Sequence, residues 1–254
     1  MNTGSPGEKL SIQQHFDQYA GQWDQRIRQH GYHSRFLVVK DMLKRLPVPR
    51  AAVDVGCGTG DYCVLFDPAK THYVGIDISE EMVARCRELY PAFEFQAGDG
   101  DRLPLPDGSA DVILDVAVIE YYADPLPHLR ELARVARPGG SIFVVGPNGN
   151  NRSRRVAIGL DRFIQAVRGR SRPATSSKLV QHRYRTVNDL RSLGETAGLR
   201  LAEYEFSTLY ILPELHPSLR RLNIALSERI GGRPNWQWIT RWSATNLICR
   251  FVKP

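Results

Sequence analysis

The ten residues AAVDVGCGTG, numbered 51–60, decide the fold. A short apolar run leads into Asp54, and glycines then occupy the alternate positions 56, 58 and 60. This order is typical of a buried strand that ends in a glycine loop, and it predicts a helix that starts near Asp61. Glycines allow a tight turn and close approach of a ligand to the backbone. The stretch therefore predicts a crevice at the carboxyl end of a strand in an open α/β sheet, with helix-start N–H groups pointing into it.

The spacing of these glycines excludes two common nucleotide-binding loops. A G-x-G-x-x-G fingerprint that starts at Gly56 would need glycine where Asp61 stands, and one that starts at Gly58 would need it at Cys63. No Gly-Lys-Ser/Thr follows, so the loop is not a P-loop either. Asp54 and Asp61 flank the loop, and their carboxylates would repel a pyrophosphate but suit a ligand that carries an ammonium and a sulfonium. A tight turn without any ligand is the alternative.

A second acidic residue follows at a spacing that suits a ribose. Asp77 lies 21 residues beyond Gly56, near the end of the predicted strand 71–79. An acidic side chain at that point can accept hydrogen bonds from both ribose hydroxyls. The alternative role is the N-cap of the next helix, but Ser79 can supply that cap. The spacing therefore favours Asp77 as a ligand-binding residue.

Three stretches together resemble one enzyme family. The pattern D-x-G-x-G-x-G at 54–60 resembles the first motif of the class I S-adenosylmethionine-dependent methyltransferases. FDQYAGQWD at 16–24 resembles the segment that folds over the cofactor in the ubiquinone/menaquinone-type, methyltransferase type 11-like, small-molecule branch. Residues 97–148 resemble that branch almost residue for residue, with a Gly-Asp turn, a Leu-Pro-x-Pro-Asp loop and an Arg-Val-x-x-Pro-Gly-Gly run.

This resemblance implies a fold, a cofactor and a domain organisation. The fold is α/β, with a doubly wound, mostly parallel, seven-stranded Rossmann-like sheet whose last two strands form a reversed hairpin. The cofactor is S-adenosyl-L-methionine. A helical insertion follows the fifth strand. The expected organisation is a disordered tail at 1–10 and a single domain at 11–254, with cap helices at 11–46 and a basic lid insertion at 148–185.

The predicted cofactor-binding residues lie mainly at strand ends: Asp54, Gly56, Cys57, Gly58, Gly60, Asp77, Ile78, Asp99, Gly100, Asp115 and Trp23. The resemblance implies that Asp99 binds the adenine amino group with the Gly100 backbone beside it, and Asp101 is the second candidate. A role as a turn residue is the alternative for Asp99. Asp115 interrupts an apolar strand where an unsatisfied carboxylate is costly, so it should lie near the strand tip by the cofactor. Trp23 stands where the family has tyrosine.

The loop after the central strand is expected to face the methyl acceptor. Tyr121 and Tyr122 are the acceptor-side candidates, with packing inside the loop as the alternative. A general base is needed only if the acceptor is protonated, and Glu120, His33 and His182 are the candidates for that role. Both histidines could equally be ordinary surface residues. Positioning of the nucleophile supplies much of the rate, so the absence of a Ser-His-Asp or Cys-His pattern does not argue against the activity.

The charge distribution of the chain is uneven. The 254 residues carry a net charge of +7, whereas residues 151–191 hold eleven Lys or Arg against two acids, a local +9. Apolar residues at helical spacing accompany them, so this stretch predicts a basic amphipathic helix. Such a helix can be a lid with a solvated outer face, or it can bind an anionic membrane surface through 152–185. The chain lacks an Asn/Asp-Pro-Pro-Tyr/Phe motif and aromatics among the basic residues, which argues against nucleic acid.

The cysteine spacing and the polar start of the chain bear on metal binding, disulfides and location. The four cysteines show no C-x-x-C spacing, which argues against a metal site and against disulfides. The polar start lacks an apolar signal core, so a cytoplasmic location with peripheral membrane contact is expected. The sequence thus predicts methyl transfer to a small-molecule, hydrophobic or lipid-like acceptor. An RNA methyltransferase and a non-catalytic cofactor-binding protein stay as alternatives, and the acceptor and the oligomeric state are left open.

Overall fold

The computed structural model describes residues 6–19, 32–153, 156, 159, 163, 182–209, 222, 225, 226, 229 and 241–254. Seven strands lie within those residues: β1 (Ala51–Val55), β2 (His72–Asp77), β3 (Glu94–Ala97), β4 (Ala110–Val116), β5 (Ala136–Pro147), β6 (Arg200–Leu209) and β7 (Ala244–Val252). Five helices are described in full: α1 (Pro6–Tyr19), α2 (Tyr32–Lys44), α3 (Glu80–Leu89), α4 (Leu126–Val135) and α5 (Val187–Thr196).

All seven strands form one sheet, in the order β3-β2-β1-β4-β5-β7-β6. Strands β1 to β5 are parallel to one another, and β7 runs antiparallel to both β5 and β6. The predicted seven-stranded, doubly wound sheet with its reversed hairpin is therefore confirmed. The strand order reverses between β1 and β4, and ligands bind open α/β sheets in the crevice at such a point.

Both faces of the sheet are covered, which explains the near-continuous apolar runs of the central strands. Ile113 and Leu114 are neighbours on β4 and point to opposite faces, yet both are fully buried. Ile113 belongs to the cluster that includes Leu132 of α4, whereas Leu114 belongs to the cluster that includes Met42 of α2. A rigid, two-sided core therefore holds the strand ends that build the site.

The helix that the sequence predicts near Asp61 does not form, and that prediction is wrong. A single 3₁₀ turn, Cys63–Leu65, follows the glycine loop instead. Pro68 lies a few residues further on, and proline both disfavours the helical conformation at the residue before it and lacks a backbone donor. The crevice therefore has no helix N-terminus behind the glycine loop. A ligand must be held there by side-chain charges and by single N–H groups.

The N-terminal tail is shorter than predicted, because α1 already begins at Pro6. Lys9 anchors this helix through contacts of its ammonium with Asp99 and Asp101, at 2.5 and 2.7 Å. These contacts join α1 to the turn that follows β3. Residues 1–5 and 20–31 lie outside the described residues.

Only part of the predicted cap and part of the predicted lid lie within the described residues. Residues 11–19 of α1 and the whole of α2 fall inside the predicted cap at 11–46, and residues 20–31 between them lie outside the described part of the chain. Most of the predicted lid at 148–185 also lies outside the described residues, so the lid stays a prediction. Across the described residues, no helix combines the length and the apolar character that a membrane crossing requires.

Candidate active site

The glycine loop needs glycine for conformation and for space. Gly56, Gly58 and Gly60 all have positive φ angles, of 68°, 54° and 83°. A Cβ atom on Gly56 would lie only 2.2 Å from Cγ2 of Val118, which follows β4. The loop after β1 is therefore in direct contact with the loop after β4. This contact lies at the point where the strand order reverses, between β1 and β4.

Asp54, at the end of β1, is a buried carboxylate with one unsatisfied oxygen. Its side chain is 1% exposed, and Oδ2 accepts a hydrogen bond from the Tyr73 hydroxyl at 2.8 Å. Oδ1 is buried and has no hydrogen-bond partner among the described residues. Burial raises the pKa of Asp54 to about 7, and the charges of Asp77, Asp61 and Asp115 add to this rise, while Tyr73 opposes it. Such a group suits a cationic ligand that would complete its hydrogen bonds and hold it ionised.

Asp77, at the end of β2, fixes the glycine loop. Its Oδ2 accepts from the Gly58 amide at 2.8 Å, and its Oδ1 accepts from the Ser79 amide at 2.9 Å. Burial raises the pKa of Asp77, although these amides oppose the rise. Ser79 caps α3 by accepting from the Met82 amide. The sequence assigned the cap to Ser79 correctly but gave no indication that Asp77 holds Gly58.

The turn after β3 carries the predicted adenine-side residues. Asp99 Oδ1 accepts from the Asp101 amide at 3.0 Å, while Lys9 of α1 contacts both carboxylates. The Gly100 carbonyl lies 3.0 Å from Nδ1 of His128, a fully buried residue of α4. Lys9 of α1 and His128 of α4 thus both contact this turn. Neither residue was predicted from the sequence. Neither stands out in sequence, because one lies in a polar tail and the other in an ordinary amphipathic helix.

Asp115, on β4, is paired with the same histidine. Both of its oxygens are buried without a hydrogen-bond partner among the described residues, and Oδ2 lies 3.4 Å from Nε2 of His128. Burial alone would lower the pKa of His128, but the Asp115 carboxylate and the Gly100 carbonyl outweigh it, so the pKa is raised. Tyr122 stacks on the imidazole with a centroid distance of 4.4 Å. The structure places Tyr122 beside Gly100 of the turn after β3, and its role on the acceptor side stays a prediction.

The remaining acceptor-side candidates come together on one turn. Glu120 lies in the 3₁₀ turn Ile119–Tyr121 and is 7% exposed. Its Oε1 lies 2.6 Å from Nδ1 of His182, and the ring of Tyr121 lies 5.3 Å from the His182 ring. His33 lies apart on α2, exposed and stacked on Phe36. Of the three base candidates, the structure joins Glu120 and His182 into a pair.

Four predicted cofactor residues remain. Cys57 is buried, and a hydrogen bond with Cys86 together with burial raises the pKa of its thiol well above the ordinary value. Ile78 is half-buried in the bend between β2 and α3. Gly60 faces the ring of Tyr90, which a Cβ would meet at 3.1 Å. Trp23 lies outside the described residues.

Comparisons with known proteins agree with this architecture. Residues 53–144 match the family model described as a methyltransferase domain. A probable S-adenosylmethionine-dependent methyltransferase of Mycolicibacterium smegmatis is 36% identical over 114 residues, which are 45% of this chain and 44% of the relative. A malonyl-[acyl-carrier protein] O-methyltransferase of Pectobacterium atrosepticum is 34% identical over 136 residues, or 53% of this chain and 52% of the relative. The chain thus spans about half the length of these curated relatives.

A solved structure extends the likeness to nearly the whole chain. The magnesium protoporphyrin IX methyltransferase of Synechocystis PCC 6803, solved with bound S-adenosylhomocysteine, superposes with a TM-score of 0.66. The match covers 97% of this chain and 100% of that chain at 15% identity, so it supports the fold alone. The matched domain and the strand order agree with the resemblance of the glycine loop. Residues 53–144 thus match a methyltransferase domain family, and the chain has the fold of the class I S-adenosylmethionine-dependent methyltransferases.

Proposed function

We propose that the protein binds S-adenosylmethionine in the crevice between β1 and β4 and transfers its methyl group to a small-molecule acceptor. Asp54 carries this proposal, because its buried Oδ1 has no partner among the described residues and because no α-helix begins directly after the glycine loop that follows it. The α-ammonium of the cofactor would complete the hydrogen bonds of that carboxylate. A pyrophosphate would meet the same negative charge and be repelled.

The other strand ends fit the rest of the cofactor. Asp77 uses two of its roughly four lone-pair sites on backbone amides, so acceptor sites remain for the ribose hydroxyls. Asp99 and Asp101 lie beside the expected adenine position, under α1. The bound cofactor supplies an electrophilic methyl carbon on a sulfonium. The protein therefore has mainly to exclude water and align the acceptor.

Calorimetry tests the cofactor assignment directly. The protein should bind S-adenosylmethionine and S-adenosylhomocysteine and should not bind NAD, because the loop lacks both the dinucleotide spacing and a helix N-terminus. Binding of NAD in the absence of any S-adenosylhomocysteine binding would overturn the proposal.

Asp77→Asn should weaken S-adenosylhomocysteine binding roughly 30-fold, about 2 kcal/mol, because a charged acceptor is lost from the ribose. An analogue that lacks the ribose hydroxyls should bind the wild-type protein more weakly. It should bind the variant about as well as S-adenosylhomocysteine does, because the shared interaction is then already missing.

Asp67→Asn is the matched control for this prediction. Asp67 also accepts a backbone amide, that of Ala69, but its side chain is exposed and forms an ion pair with Lys70. Its substitution should leave the affinity unchanged. If Asp77→Asn gave the same unchanged affinity, Asp77 would serve only to hold Gly58.

We further propose that the acceptor is hydrophobic or lipid-like and that 152–185 provides peripheral contact with an anionic membrane. The local net charge of +9 across 151–191 supports this. Each basic residue near an anionic surface contributes about 1 kcal/mol, and salt screens that contribution. Changing Arg154, Arg155 and Arg162 to glutamine should therefore remove most of the binding to anionic vesicles at low salt, as measured by co-sedimentation.

A triple variant with equal charge loss elsewhere provides the control. Lys70 and Arg130 are exposed and Arg85 is partly exposed, all of them outside the insertion, and their change to glutamine should affect vesicle binding little. Wild-type binding that ignored lipid charge and salt would contradict the membrane contact. It would leave cofactor binding, and thus the methyltransferase proposal, intact.

A further inference from the structure

We infer that Glu120 and His182 form a general-base dyad for an acceptor whose reacting atom is a neutral hydroxyl oxygen. This inference rests on the proposed function, since it names the class of acceptor for the same site. An unprotonated amine already offers a lone pair and a carboxylate is already ionised, so neither needs such a base. The dyad thus restricts the chemical class of the acceptor, which the fold does not determine.

The dyad lies beside the glycine loop. Val118, whose side chain touches Gly56, is only two residues before Glu120. On the other side, Oε2 of Glu120 lies 4.0 Å from the position that a Cβ on Gly146 of β5 would occupy. Glu120 is therefore placed where β4 and β5 end, at the edge of the sheet on which ligands bind in this type of fold.

The hydrogen bond within the dyad fixes the state of the histidine. Nδ1 of His182 lies 2.6 Å from Oε1 of Glu120, and an ionised carboxylate only accepts hydrogen bonds. When Glu120 is ionised, Nδ1 must therefore carry the proton, and in the neutral imidazole Nε2 then keeps its lone pair. The Glu120 side chain is 9% exposed and that of His182 is 46% exposed. A ligand can thus reach the imidazole while the carboxylate stays shielded.

The pair is not needed to anchor residues 183–185 to the turn that contains Glu120. The Arg183 amide donates to the Glu120 carbonyl at 3.0 Å, and the Arg183 guanidinium donates to the Tyr121 carbonyl. The Arg185 guanidinium donates to the carbonyls of Ile119 and Tyr122, at 2.9 and 2.8 Å. These bonds already hold 183–185 against the turn. Burying a carboxylate merely to add one more anchor would be unfavourable.

The proton and the electrons balance in one step. Nε2 of His182 accepts the proton of the acceptor hydroxyl while the oxygen's electron pair forms the bond to the methyl carbon. The methyl–sulfur bond breaks, and its electron pair stays on the sulfur. The Glu120 carboxylate stabilises the imidazolium that results, and the proton then leaves to solvent.

The first test needs no acceptor. NMR of the imidazole nitrogens in the full chain, with the His182 signals assigned by their loss in His182→Gln, should show the tautomer with the proton on Nδ1. Glu120→Gln should reduce that preference. A proton on Nε2 in the wild-type protein, or an unchanged tautomer ratio in Glu120→Gln, would overturn the dyad.

The second test measures methyl transfer to phenol, to the more acidic para-nitrophenol and to benzoate. The wild-type protein should methylate phenol, and His182→Gln should lower kcat roughly 100-fold with little change in KM. The loss should be smaller with para-nitrophenol, which ionises without help. Benzoate, if methylated at all, should be affected least, because it carries no proton to remove.

A second histidine–glutamate pair offers a matched control. His72 lies 3.0 Å from Glu94 on the surface, at the opposite end of β2 from Asp77. His72→Gln should leave kcat unchanged. Equal losses for phenol and para-nitrophenol in His182→Gln, or no loss with either, would show that His182 is not the base.

Cofactor binding separates this inference from the proposed function. S-adenosylhomocysteine should bind His182→Gln and Glu120→Gln as it binds the wild-type protein, since neither residue is assigned to the cofactor. A wild-type protein that bound no S-adenosylhomocysteine would overturn the proposed function itself. A wild-type protein that bound S-adenosylhomocysteine but methylated neither phenol nor para-nitrophenol would overturn only the inference of a hydroxyl acceptor.

Discussion

Asp54→Asn should weaken S-adenosylhomocysteine binding roughly 100-fold, about 2.7 kcal/mol. Asparagine keeps the size of the side chain and an oxygen for the Tyr73 hydroxyl, which donates to Asp54 Oδ2 at 2.8 Å. What it removes is the charge that faces the ammonium of the ligand. Loss of one partner from a buried, hydrogen-bonded charge pair typically costs about 2–5 kcal/mol. Calorimetry on the folded variant measures this difference.

Asp111→Asn is the control for that substitution. Asp111 lies on the neighbouring strand β4, where it accepts from the amides of Arg50 and Ala51 at the opposite edge of the sheet. Its substitution should lower stability but leave the affinity for S-adenosylhomocysteine unchanged. Equal affinity of wild type and Asp54→Asn would contradict the assignment of the ammonium to Asp54.

The pH dependence of binding follows from the same carboxylate. Burial raises the pKa of Asp54 from 3.8 to about 7, and an ammonium requires the ionised form. Affinity should therefore rise about tenfold per pH unit up to about pH 7 and then level off. Asp54→Asn should flatten this profile, and a wild-type affinity that is constant between about pH 5 and 7 would contradict it.

The stability of the ligand-free protein should change in the opposite direction. Between about pH 4 and 7 the folded state keeps the Asp54 proton, whereas the unfolded state has lost it. The stabilisation from neutral Asp54 is thus fully present below about pH 4 and is lost as the pH rises through about 7. Urea unfolding at several pH values should show this decline in wild type and less of it in Asp54→Asn.

Gly56→Ala should lower the free energy of unfolding by about 3 kcal/mol and should also impair cofactor binding. The positive φ of 68° disfavours any residue with a Cβ, and that Cβ would lie 2.2 Å from Val118 Cγ2. A left-handed conformation costs roughly 1–2 kcal/mol, and overpacking adds about 1–3 kcal/mol. Urea unfolding measures the sum.

Gly198→Ala separates the two causes. Gly198 has a φ of 81°, but a Cβ there would meet nothing within 4 Å. This variant should lose only the roughly 1 kcal/mol that comes from conformation. If Gly56→Ala cost no more than Gly198→Ala, then contact with Val118 would not constrain the loop.

Much of this architecture could be predicted from the sequence because the relevant signals are local. The strand β4 is mostly apolar, with Val112, Ile113 and Leu114 in succession, and such runs indicate a strand buried on both faces. Thr186 begins a capping box with Asp189 at the start of α5, and such a cap depends on residues only three positions apart. The reversed hairpin of β6 and β7 came from the family resemblance rather than from any local pattern.

What could not be predicted depends on contacts between distant residues. Glu120 and His182 are 62 positions apart, and a single sequence gives no sign that they meet. Lys9 reaches Asp99 across 90 positions. The failed helix at Asp61 has a different cause: its local pattern suited a helix start, but Pro68 left too few residues to continue it.

The position of β7 has a consequence for how the chain folds. Strand β7 lies between β5 and β6, so β6 joins the sheet only through a strand that follows it in sequence. Until β7 docks, β5 presents an open row of backbone donors and acceptors along 141–147. A refolding intermediate in which β1 to β5 have assembled would therefore expose the unpaired edge of β5, and other chains could pair with that edge. Aggregation during refolding should fall sharply once β7 has docked, because this one late, long-range event closes that edge.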